Sequence, residues 1–103
     1  SKKHSASLQI LERTFLMLYH SSYTSAIDFA LNSAVSEGFT TDKEETAELI
    51  GSQSKRPKEG KTVRLSIPLY KNGKLVKRKA LQIQIYNRGN NVVNNFELNK
   101  YIA

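Results

Sequence analysis

Cysteine and tryptophan are absent from this 103-residue chain, and histidine occurs only at His4 and His20. Without cysteine there is no disulfide framework, thiolate zinc site, iron–sulfur cluster or cysteine nucleophile, so the core must hold by packing alone. Two imidazoles do not assemble three or four convergent ligands, and neither a metal nor a cofactor is expected. Long apolar runs are missing too. The longest charge-free stretch, Thr14 to Ile27, is broken by His20, Ser21, Ser22, Thr24 and Ser25, well short of the roughly 18 apolar residues of a membrane span. The start Ser1-Lys2-Lys3-His4 is positive as a signal peptide's is, but Glu12 and Arg13 interrupt the apolar stretch behind it. The expectation is one intracellular domain covering residues 1–103, cytoplasmic unless the basic tetrapeptide Lys55-Arg56-Pro57-Lys58 directs nuclear import.

Acidic residues are scarce in one half only. Residues 1–51 carry four basic and seven acidic side chains, a balance of −3, whereas residues 52–103 carry twelve basic and two acidic, a balance of +10. Segregation of this kind points to an anionic partner more sharply than does the overall +7.

Periodicity changes at the same place. Leu8, Leu11, Phe15 and Leu18 recur at helical spacing, and so do Tyr23, Ala26, Ile27, Ala30, Leu31 and Ala34 after a polar break. Two amphipathic helices are predicted, at about 6–20 and 23–37, with Ser22 or Thr24 as a cap, Gly38 as the stop and the aromatics Phe15, Tyr19, Tyr23 and Phe29 as core candidates. His20 is expected to end the first helix, where its charged form suits the dipole. Thr41-Asp42-Lys43-Glu44 has the spacing of a capping box, predicting a short, peripheral acidic helix that ends at Ile50 before Gly51. The helical half is thus 6–50.

Residues 51–61 form a basic loop, rich in Ser, Gly and charge. From Thr62 the period is two: Val63, Leu65, Ile67 and Leu69 alternate with polar residues, as do Leu81, Ile83 and Ile85, so antiparallel strands are expected across 62–102. Asn72-Gly73 predicts a tight hairpin. A plain two-residue turn would set Arg78 opposite Ile67 on the core face, so either a bulge near Lys79 and Ala80 or a projecting tip must relieve the conflict. Pro68 cannot donate to a ladder and marks an edge or bulged strand. Asn87 to Asn91 is a second turn. A third strand follows around Val93 to Leu98, with a short terminal helix as the alternative for the end of the chain. The expected fold is α+β: two N-terminal helices on a three-stranded antiparallel sheet, plus the acidic helix.

Catalytic motifs fare poorly. Gly60-Lys61-Thr62 ends like a phosphate-binding loop, but Lys55 stands where the first glycine belongs and a strand follows instead of a helix. Glu44, Glu45 and Glu48 read as a solvated helix face, and the Ser21, Ser22, Thr24 and Ser25 hydroxyls as caps. No nucleophile or acid–base constellation is visible, so binding is expected in place of catalysis. The remaining feature is the basic constellation Lys55, Arg56, Lys58, Lys61, Arg64, Lys71, Lys74, Lys77, Arg78, Lys79 and Arg88, with Glu59 as the only acid from 55 to 88. If helices cover the odd face of the strands, Arg64, Tyr70, Gln82, Gln84 and Tyr86 share the even one, where rings, amides and cations can stack on bases and meet phosphates. The expected function is a non-enzymatic module that contacts DNA or RNA phosphates with little sequence preference. The alternative is a protein-interaction module or inhibitor that docks a basic hairpin on an acidic protein surface. Lysine-rich hairpins also protect sheet edges without any partner.

Overall fold

The computed structural model describes residues 19–53, 56–89 and 91–103. In chain order they form β1 (Tyr19–His20), α1 (Tyr23–Ser36), α2 (Lys43–Gln53), β2 (Thr62–Lys71), β3 (Lys74–Asn87) and β4 (Phe96–Ile102). The architecture is α+β, with a four-stranded antiparallel sheet in the order β1-β4-β3-β2. The expected three strands become four because Tyr19 and His20, predicted to close a helix, pair instead with Glu97 and Phe96. The remainder of that first helix, 6–18, lies outside the described residues.

Helix α1 begins as its sequence suggests. Ser22 is the N-cap and its side chain accepts the Ser25 N–H at 3.1 Å. At the other end Gly38 adopts φ 93°, so that Gly38 N–H reaches Val35 O at 3.0 Å and Phe39 N–H reaches Ala34 O at 3.0 Å. That pair of reversed bonds satisfies the last carbonyls and turns Phe39 into the core. Ala26, Ala30 and Ala34 are fully buried; their small side chains let the helix backbone sit close on the sheet.

Helix α2 is displaced by one residue from its predicted start. Asp42, in place of Thr41, caps it, Oδ1 accepting the Glu45 N–H at 2.8 Å. It also runs through Gly51, which is not among the glycines at positive φ, and so it passes Ile50. The helix is less peripheral than its polarity implied, because Leu49 and Ile50 pack against the core.

On the sheet, Leu65, Ile67 and Leu69 of β2, Leu81, Ile83 and Ile85 of β3, and Phe96 and Leu98 of β4 are all buried against α1 and α2. The hairpin turns at Asn72 (φ 52°) and Gly73 (φ 77°), the pair of positive φ values that matches a two-residue loop to the strand twist. Tyr70 then pairs with Leu75, but Pro68 pairs with Ala80, so Val76 to Lys79 bulge opposite Leu69 alone. This excursion keeps Lys77, Arg78 and Lys79 exposed and returns Leu81 to the core face opposite Ile67. Strand β2 is an edge, bridged at one point by Thr40 to Tyr70.

Strand β4 begins later and ends later than expected. Val92 and Val93 are exposed in the preceding turn, where Asn94 takes φ 54°, and the strand continues through Lys100 and Tyr101 in place of a terminal helix. Among the described residues, no helix is long and apolar enough to cross a membrane.

Candidate nucleic-acid interface

Among the described residues the helices lie on one side of the sheet, and the other side presents three cross-strand rows. Thr62, Tyr86, Glu97 and Tyr19 are aligned in the first, Arg64, Gln84 and Asn99 in the second, and Ser66, Gln82 and Tyr101 in the third. Directly opposed residues share a face, and the Gln82 Nε2 donor reaching Ser66 Oγ at 3.2 Å fits that geometry. Tyr86 and Tyr101 are 38% and 49% exposed. A shallow depression of about 220 Å³ lies over the first two rows, lined by Thr62, Arg64, Gln84, Tyr86, Glu97 and Asn99.

Two of the predicted site residues, Arg64 and Tyr86, therefore stand together on the open face. Tyr70 does not join them, since its phenol turns to α2 and donates to Glu45 Oε1 at 2.9 Å. That hydrogen bond, partial burial and the charges of Glu45 and Asp42 raise the tyrosine's pKa above its ordinary value. Tyr19 moves the other way. Predicted as a core residue, it lies in the first row of the open face under Arg88, whose guanidinium carbon is 4.3 Å from the ring centroid.

The cations divide into two groups. Arg56, Lys58, Lys61, Arg64 and Arg88 lie at the end of the sheet where β2 starts and β3 stops; Lys71, Lys74, Lys77, Arg78 and Lys79 lie around the hairpin tip. The far ends of the two groups are about 30 Å apart along the ten residues of β2, while Arg64 and the bulge opposite Leu69 that carries Lys77, Arg78 and Lys79 are about 17 Å apart. Lys55 lies outside the described residues. Among the described residues three cations cover aromatic rings: Arg88 over Tyr19, Lys71 over Phe39 at 4.7 Å and Arg56 over Phe96 at 5.2 Å. Such contacts hold a cation at a defined place while leaving its charge intact. Lys58, Lys61, Lys74, Lys77, Arg78 and Lys79 are exposed.

Asn87 assembles the first group. Buried at 3% exposure, it donates through Nδ2 to Pro57 O at 3.0 Å, and its Oδ1 accepts from Gly89 N–H at 3.0 Å and Asn95 Nδ2 at 2.9 Å. Its backbone pairs with Gly60 and Lys61. The basic loop is thereby tied to the end of β3 next to Arg88. Glu59, the acid of that loop, rests against Gly89, where a Cβ would come within 2.9 Å of its Oε1.

His20 is not at a helix end. It is buried on β1, with Nδ1 3.1 Å from Ser25 Oγ and its ring tilted on Phe29 at 5.5 Å. The contact between His20 and the hydroxyl cluster ties β1 to the first turn of α1. Among the described residues, no three His, Asp or Glu side chains converge as a metal site would require.

Compared with protein-family models, curated proteins and solved structures, the chain has no significant match.

Proposed function

We propose that the chain is a non-enzymatic module that lays a single strand of nucleic acid over the open face of its sheet. One observation carries the reading: Tyr86, Tyr101, Arg64, Gln82, Gln84 and Asn99 stand on the side of the sheet opposite its helices. Splayed bases stack on such rings with little regard to identity, each worth about 1 to 3 kcal/mol. Duplexes keep their bases stacked and inaccessible, which favours the single strand. Arg64 and Arg88 supply cations on the platform's own side, the Asn87-tethered loop adds charge at the same end of the sheet, with Arg56 over Phe96 of the core face, and the hairpin tip supplies more further along an extended strand.

Fluorescence anisotropy with labelled single- and double-stranded RNA and DNA tests this at about 50 and 200 mM salt. Six phosphate contacts on a single strand imply a loss of a few hundredfold across that interval, from a slope of about −0.7 per contact. Replacing Tyr86 and Tyr101 together by Ala should weaken single-strand binding at both salts. Changing Lys77, Arg78 and Lys79 to Glu should flatten the salt slope by about 2 if all three meet phosphates. Absence of binding at the lower salt overturns the reading.

A second reading rests on the hairpin alone. Its tip is about 30 Å from the platform's far end, basic, and carries Leu75 at 51% exposure. A basic tip with an apolar residue suits an acidic protein surface. A stoichiometric complex that survives nuclease and is lost on reversing Lys77, Arg78 and Lys79 would favour it.

A further inference from the structure

Glu97 is out of place on a face proposed to meet nucleic acid. It is the only acid in the three cross-strand rows, it stands directly opposite Tyr86, and it lines the depression of about 220 Å³ with Arg64, Gln84 and Asn99. A carboxylate there repels a passing phosphate, so what it meets must carry donors. Resting on the single-strand reading above, we propose that this depression seats one guanine base, stacked on Tyr86 with its Watson–Crick edge toward Glu97.

The selection follows from the donors each base presents. A carboxylate has two acceptor oxygens side by side and is satisfied by two adjacent donors. Guanine supplies them, N1–H and the 2-amino group, on one edge. Adenine and cytosine offer one amino group next to a ring nitrogen whose lone pair faces the carboxylate. Uracil and thymine offer N3–H between two carbonyl oxygens, both repelled. The amides of Gln84 and Asn99 and the guanidinium of Arg64 bring donors to the same hollow, suited to guanine O6. Stacking and phosphate contacts elsewhere remain indifferent to sequence, so a single position of the strand is read and its neighbours are not. Because a site built to bond a polar edge rejects bases that leave its groups unmatched, the preference should be marked.

The test uses short uridine oligomers, as RNA and as DNA, with guanine, adenine or hypoxanthine at one central position, against the intact chain. Guanine should bind about tenfold or more tighter than adenine, the discrimination expected of a good bidentate pair. Hypoxanthine, which lacks only the 2-amino group, should lose most of that advantage without any change to the protein. Glu97→Gln should abolish the preference while leaving the adenine oligomer bound at least as tightly as before. A preference in both the RNA and DNA series places recognition on the base; one confined to RNA adds the 2′-hydroxyl to it. Equal affinity for all three oligomers, or hypoxanthine equal to guanine, overturns the guanine assignment and leaves the platform standing. If no oligomer binds at about 50 mM salt, the platform falls and the guanine site with it.

Discussion

The buried amide of Asn87 donates to the carbonyl of Pro57 across 3.0 Å, joining the end of the hairpin to the loop that precedes it. The same side chain accepts from Gly89 and Asn95, so a single residue fixes the relative positions of the basic loop, Arg88 and the start of β4. Asn87→Ala removes three hydrogen bonds and leaves their partners without it. At about 1 kcal/mol net for each bond, the variant should lose about 2 to 4 kcal/mol in urea unfolding. Binding should weaken as well, because loop cations that are no longer held beside Arg88 must be ordered at the moment of contact. A loss in stability below about 0.5 kcal/mol would mean that the loop is held by other contacts.

Tyr70 and Glu45 make a link that depends on a proton. The phenol donates to the carboxylate, and its pKa is raised by that bond first and then by partial burial and the neighbouring charges. Because the folded-state pKa exceeds the unfolded one, the link's stabilisation is fully present below the ordinary tyrosine value of about 10 and is lost as pH rises through the folded value. Thermal melts from neutral pH upward should therefore show the wild type losing an increment of Tm above about pH 10 that Tyr70→Phe has already lost at neutral pH. Identical alkaline profiles for the two proteins would show that the bond contributes nothing to holding α2 against β2.

Local signals that act over a few residues were legible in the sequence. Ser22 and Gly38 bounded α1, Asn72-Gly73 placed the hairpin turn, and the clash of Arg78 with the core register required the irregularity that Val76 to Lys79 supply. The open face was legible where alternation was unbroken, at Arg64, Gln82, Gln84 and Tyr86. It was not legible on β4, because Lys100 falls at a position whose alternating neighbours, Phe96 and Leu98, are buried; a charge there disguises the period and hides the shared face of Glu97, Asn99 and Tyr101. Extending the period of two from Phe96 to Ile102 would have found them. Strand β1 has two residues and therefore no period to read. Asn87 reads in the sequence as a turn residue, since burial of an amide leaves no trace there. Whether cations spaced along a hairpin share one end of it is likewise a property of the register.

Pro68 guards the exposed edge of the sheet. Thr40 and Tyr70 exchange two backbone hydrogen bonds at 2.8 Å, so the polar backbone of Tyr70 points away from β3. Alternation along β2 turns Pro68, Ser66, Arg64 and Thr62 outward as well. On the other side of the pair, Ala80 exchanges its hydrogen bonds with Ala103, at 3.0 and 3.1 Å, which leaves Pro68 facing outward by an independent route. A residue without an N–H thus interrupts the row of donors between Ser66 and the Thr40 bridge, and Arg64 adds charge to the remainder. Both features discourage a second chain from adding a strand there. Pro68→Thr restores the donor without burying a new apolar side chain. The variant should fold but associate with rising concentration, measured by light scattering at salt high enough to screen Arg64. Replacing Ser66 by Lys in the same variant should return it to the smaller species by placing charge on the edge. A Pro68→Thr protein that scatters as the wild type does at every concentration would show that the missing donor has no part in keeping the edge unpaired.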